Sequence, residues 1–121
     1  MRKREQQVGP KLTPIETCPF EVKSTRGANV FYLREIRSHQ MTSLLACNTD
    51  VGFKWKIPDA GWGFLPFDYI YFKNTQGYFV IAFPRMAYWI RAELLHFIIE
   101  SGKTSISEEM ADELCAKKDR L

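Results

Sequence analysis

The chain has 121 residues, 45% of them hydrophobic and 14% aromatic, enough for one domain with a modest core and too many for wholesale disorder. The formal net charge of +3 permits nucleic-acid binding without requiring it. No apolar run approaches the roughly 18 residues of a membrane span, and Cys18, Cys47 and Cys115 form no C-x-x-C pair, so a structural zinc site is not expected and reduced thiols of a cytoplasmic protein are.

Residues 1–15 begin "MRKREQQVGPKLTP", charged and then polar, with two prolines and a glycine against helix formation. They read as a basic flexible arm without the apolar centre of a secretory signal, and residues 16–121 read as a single domain. "CPFEVKS" reads as a short strand and "TRGAN" as a turn. "VFYLREIRSHQMTSLLAC" reads as a helix, clear from about Leu33, with Leu33, Ile36, Leu44 and Cys47 on one apolar stripe and Met41 and Leu45 beside it. Gln40 sits in the middle of that stripe, where a polar amide needs a partner.

"GFKWKIP" alternates Phe53, Trp55 and Ile57 with Lys54 and Lys56, the pattern of a half-buried strand. "DAGWGFLP" is a glycine-rich loop carrying Trp62. "FDYIYF" and "YFVIAF" are apolar on both faces and read as paired central strands joined by "KNTQG". "AYWI" reads as a further strand and "RAELLHFIIES" as a helix closed by Gly102. "SISEEMADELCAKK" places Ser105 and Glu108 in capping-box spacing before a polar helix. The expected fold is α/β, a mixed central sheet of four or five strands flanked by helices.

Side chains two apart on a strand share a face, so Glu21 and Lys23 point one way and Phe20 and Val22 the other, expected apolar side. Phosphodiester hydrolysis needs a hard cation held by carboxylates, an activated water and positive charge near the phosphate. A Glu and a Lys side by side, with an acid from a neighbouring strand, meet those needs. Asp68 is the one acid in the apolar run "LPFDYIYF" and is the first candidate for that acid. No G-x-S-x-G, P-loop or G-x-G-x-x-G occurs.

"FEVKST", then a loop, then "YLREIRSHQMTSLL" resembles the RecU-type Holliday-junction resolvases of the PD-(D/E)XK nuclease superfamily. In that family an E-x-K strand is followed by a helix with a His-Gln pair, matched here by Glu21, Lys23, His39 and Gln40. "GYFVIAFPRMAYWIRAELLHFI" is similar to the family's later strands and helix. Ordinary members carry the metal-binding Asp before E-x-K, on an adjacent strand, and a further acid on an early helix. In this sequence Asp68 comes after E-x-K, which implies a rewired or circularly permuted arrangement; Asp59 is the rival to Asp68 as metal ligand, and Glu16 and Asp59 are the candidates to replace the early-helix acid.

The resemblance implies a restriction-endonuclease-like fold and an Mg2+- or Mn2+-dependent endonuclease acting on four-way DNA junctions as a homodimer, in the cytoplasm of a bacterial or phage-infected cell. Asp68 and Glu21 would bind metal, Lys23 would assist the attacking water, and Gln40 would position a ligand or the water. Arg2, Lys3, Arg4, Arg34, Arg37, His39, Lys54 and Lys56 are candidate DNA contacts, and Trp62 could stack on a junction. The alternatives are a nuclease-like module that binds DNA or a protein without cutting, and a nuclease of the same superfamily with another DNA substrate.

Overall fold

The computed structural model describes residues 17–56 and 69–121. The principal sheet has four strands in the order β1 (Phe20–Ser24), β5 (Tyr78–Ala82), β6 (Met86–Arg91), β8 (Lys117–Arg120). β1 and β5 run parallel, with Glu21 opposite Phe79 and Lys23 opposite Ile81, and the remaining neighbours are antiparallel. The chain is α/β with a mixed four-stranded sheet flanked by helices.

The parallel pair β1–β5 needs a long crossover, and α1 (Ser38–Cys47) lies in it. Before α1 the chain makes a short strand, β2 (Val30–Tyr32), and a single 3-10 turn at Leu33–Glu35. After it comes a separate antiparallel pair, β3 (Phe53–Lys56) with β4 (Tyr69–Phe72). β6 runs straight into α2 (Ala92–Glu100), whose C-cap is Ser101 and which is followed by Gly102, where a φ of +93° suits glycine. The chain then forms β7 (Ser105–Ser107), paired with β2, and α3 (Glu108–Leu114) before β8.

The core lies on one face of the sheet. Phe79, Ile81 and Ile90 are fully buried there against Leu44 of α1 and Ala92, Leu95 and Ile98 of α2. Burying each of the larger of these side chains stabilises the fold by about 1.5–3 kcal/mol. Gly77 lets α1 approach the start of β5, since a Cβ at that position would lie 2.9 Å from the Leu44 carbonyl oxygen. The other face carries Phe20, Val22, Val80, Ala87 and Trp89, none of them part of that core cluster. No helix among the described residues is long and apolar enough to cross a membrane.

Several expectations need correction. "VFY" is not the start of a helix: Val30–Tyr32 pairs with Ser105–Ser107, and the helix begins at Ser38. The apolar stripe nevertheless holds, because Leu33 reaches the core from the 3-10 turn. "FDYIYF" does not pair with "YFVIAF": β4 pairs with β3, and its Tyr69, Ile70 and Tyr71 are exposed. Phe72 is its inward residue and meets Trp55 of β3 edge to face at 5.7 Å. α3 begins at Glu108, so its cap is Ser107 and not Ser105; the Ser107 Oγ accepts from the Met110 N–H at 3.2 Å. The polar tail does not extend that helix but returns as β8.

The two faces of β1 are as the alternation gives them, and the apolar one is the more exposed. Phe20 and Val22 are 50% and 54% exposed, while Glu21 and Lys23 are half-buried on the helix side. The register with Phe79 and Ile81 decides this, since residues opposite one another share a face.

Candidate functional site

Two elements meet at the site. β1 projects Glu21 toward the helices, and the first turn of α1 projects Gln40 back toward it. The Gln40 Nε2 donates to Glu21 Oε2 at 3.1 Å. Gln40 Oε1 accepts the Arg37 backbone N–H at 3.1 Å. A backbone N–H can only donate, so the amide oxygen must face Arg37 and the NH2 group must face Glu21. The third residue of the helix thus satisfies one of the orphan N–H groups at its start and fixes the carboxylate in the same stroke. This answers the question raised by a glutamine in an apolar stripe.

Glu21 and Gln40 line a cavity of about 250 Å3 together with His39, Ser43, Leu44 and Trp55. The Ser43 Oγ donates to the His39 carbonyl at 2.7 Å, one turn back on α1. Neither Ser43 nor Trp55 was singled out by the sequence reading. The signal for Ser43 was its position three residues after Gln40, on the same helical face. For Trp55 there was none, because the approach of β3 to α1 is a tertiary contact.

Lys23 lies on the same face as Glu21, two residues on, which places its Cα about 6–7 Å away along the strand. It is half-buried and does not line the cavity itself. Among the described residues it makes no ion pair.

The other expected contacts divide. His39 reaches the cavity. Arg34 lies over the Tyr32 ring at 4.7 Å and Lys54 over the Tyr69 ring at 4.8 Å, both in cation–π geometry. Arg37 sits at the start of α1 and lines a different groove, with Ile36, Met41 and His96. Lys56 closes β3, paired with Tyr69. Arg2, Lys3, Arg4, Glu16, Asp59, Trp62 and Asp68 lie outside the described residues, as does the expected arm 1–15.

Glu21 is the one acid lining the described cavity. Its Oε2 is taken by Gln40, and Oε1 makes no hydrogen bond among the described residues. No group of three or more His, Cys, Asp or Glu side chains that could hold a metal occurs among the described residues. Mg2+ commonly binds through one or two carboxylates and keeps several waters, so Glu21 fits as one ligand of such an ion and needs a second acid beside it.

A second polar cluster ties α1 to α2. Glu93 accepts from Gln76 Nε2 at 2.5 Å and from Asn48 Nδ2 at 3.1 Å. Burial alone would raise this carboxyl, but the hydrogen bonds outweigh it and hold Glu93 below the ordinary carboxylate range. Comparison of the chain with protein-family models, with curated proteins and with solved structures gives no match.

Proposed function

We propose that the chain is a metal-dependent DNA endonuclease that hydrolyses phosphodiesters in branched DNA, with the four-way junction as its substrate. The observation that carries this reading is the Gln40–Glu21 hydrogen bond, which joins the E-x-K strand to the His-Gln helix across a cavity. The order of these parts along the chain is that of the RecU-type resolvases: an E-x-K strand, a loop, and a helix with His-Gln. Asp68 is the preferred second acid. It directly precedes Tyr69, the first residue of β4, and the partner strand β3 brings Trp55 to the Glu21 cavity.

Mg2+ or Mn2+, when bound, would supply charge neutralisation at the phosphate and a more acidic water. Gln40 holds the Glu21 carboxylate through Oε2, and Oε1 would be the atom left to serve as a ligand. Lys23 donates to the attacking water or to the phosphate oxygen that gains charge. The water oxygen bonds to phosphorus, the bond to the leaving sugar oxygen breaks, the water proton passes to solvent and the leaving oxygen is protonated. Having one acid in the described cavity favours a second reading, a module of the same build that binds DNA without cutting it.

The test is Mg2+-dependent cleavage of four-way junctions, flaps and linear duplex by the wild type and by Glu21→Gln, Lys23→Ala and Asp68→Asn. The expected result is junction cleavage, reduced at least about a hundredfold in each variant, a scale usual for losing an electrostatic contact to the transition state. Wild-type cleavage that survives Glu21→Gln overturns the site. Junction binding with no cleavage in either metal establishes the second reading.

A further inference from the structure

Among the described residues the principal sheet has two edges, and they are built differently. β8 at one edge reads Lys117-Lys118-Asp119-Arg120, with all four residues exposed. Charged side chains of this kind discourage another strand from adding on. β1 at the other edge reads Phe20-Glu21-Val22-Lys23-Ser24, and among the described residues its one neighbour is β5. Phe20 and Val22 stand half exposed along it.

The free side of β1 can be assigned residue by residue. The Tyr78 N–H donates to the Pro19 carbonyl at 3.1 Å, and the Thr25 N–H donates to the Ala82 carbonyl at 3.0 Å. Along a strand with a parallel neighbour, alternate residues turn both backbone groups to that neighbour. Pro19, Glu21, Lys23 and Thr25 therefore face β5, and Phe20, Val22 and Ser24 point their N–H and C=O groups outward.

We infer that this edge pairs with the same edge of a second copy of the chain, antiparallel about a two-fold axis at Val22. In that register Val22 faces Val22 and Phe20 faces Ser24, and all three outward-pointing residues exchange both backbone hydrogen bonds. Glu21 then faces Lys23 of the second copy, and Lys23 faces its Glu21, in the closer, non-hydrogen-bonded positions. Moving the axis to Glu21 or to Lys23 keeps the hydrogen-bonding pattern but sets like charges opposite one another, which is unfavourable. Charge thus selects one register out of three. The apolar side chains of the open face, Phe20 (its ring 4.9 Å from that of Trp89) and Val22, come together across the axis.

The consequence for the site rests on the proposed nuclease reading. Pairing brings the second copy's lysine beside the Glu21 that Gln40 holds, so each copy supplies a cation to the other's carboxylate. A five-residue ladder is short, so the association is weak and rises with protein concentration.

The test is sedimentation velocity of the full chain over a range of concentrations, which needs no nuclease activity. The wild type is expected to pass from monomer to dimer. Val22→Pro removes the outward N–H and leaves the β5 ladder intact, and should weaken dimerisation at least roughly tenfold. Glu21→Lys alone and Lys23→Glu alone should each remain monomeric. An equimolar mixture of the two should form the heterodimer, since both cross-strand pairs are then of opposite charge. A wild type that stays monomeric throughout assigns the edge to another partner and overturns the proposal. So does a mixture that sediments as its separate components while each folds by circular dichroism.

Discussion

Gln40 Nε2 lies 3.1 Å from Glu21 Oε2 while Oε1 of the same amide accepts the Arg37 N–H. One side chain therefore caps α1 and holds the candidate ligand on β1. Gln40→Ala should lower stability by about 1–2 kcal/mol, from one lost cap and one lost charge-assisted bond. Gln40→Glu keeps the acceptor for Arg37 but sets a carboxylate against Glu21. It should retain more of the stability than Gln40→Ala at acidic pH and lose it as both acids ionise. Urea melts at several pH values measure this, and equal pH dependence of the two variants would remove Gln40 from its role at Glu21.

Glu93 gives the fold a defined acid sensitivity. Its folded-state pKa is depressed below 4.5. The stabilisation is therefore fully present above that ordinary value and is lost as pH falls through the lower, folded one. Glu93→Gln should be less stable than wild type at neutral pH, because a Gln side chain offers Gln76 and Asn48 fewer acceptor sites. The gap should narrow as pH falls below 4.5 and through the lower, folded-state value. Thermal melts of both proteins across this range decide it.

Cys47 is fully buried, and burial pushes its thiol up to about 11. Its Sγ donates to the Ser43 carbonyl at 3.2 Å. The thiolate is the reactive form, so Cys47 should resist alkylation at neutral pH in the native protein. It should react fully in denaturant. Peptide mass mapping after a short iodoacetamide pulse checks this, and rapid native labelling of Cys47 would show that α1 opens readily.

Gly77→Ala tests the seat of α1. The new Cβ would lie 2.9 Å from the Leu44 carbonyl and 3.1 Å from the Leu44 Cβ, so helix or strand must shift. Overpacking of this kind costs about 1–3 kcal/mol. Because α1 carries Gln40, the variant should also lose the proposed cleavage activity out of proportion to its fraction folded. A neutral effect on both would mean that α1 is not held in place by this contact.

The local chemistry of the site was legible from residue type and spacing. The two-residue period of a strand puts Glu21 and Lys23 on one face wherever β1 lies, and the helical period puts Gln40 among apolar residues. That was enough to mark Gln40 as a side chain in need of a partner. The expected pairing of β4 with β5 does not form; both segments are apolar and β-prone, and nothing local distinguishes a strand's partner from its chain neighbour. "VFY" and "SIS" read as parts of helices because a three-residue strand has no periodicity to read, and they become strands by finding one another far along the chain, Val30 opposite Ser107 and Tyr32 opposite Ser105.

Alternation along "FEVKS" established two faces, one apolar and one charged, but not which of them the protein would bury. Hydrophobicity alone favoured burying Phe20 and Val22. The parallel register with β5 placed Glu21 beside Phe79 and Lys23 beside Ile81 instead, under the helices, because those two residues are the ones α1 and α2 cover. The sequence by itself determined that an acid and a lysine travel together. Only the tertiary structure decided that they point inward, where Glu21 meets Gln40, and that among the described residues the apolar side of the same strand lies at a sheet edge.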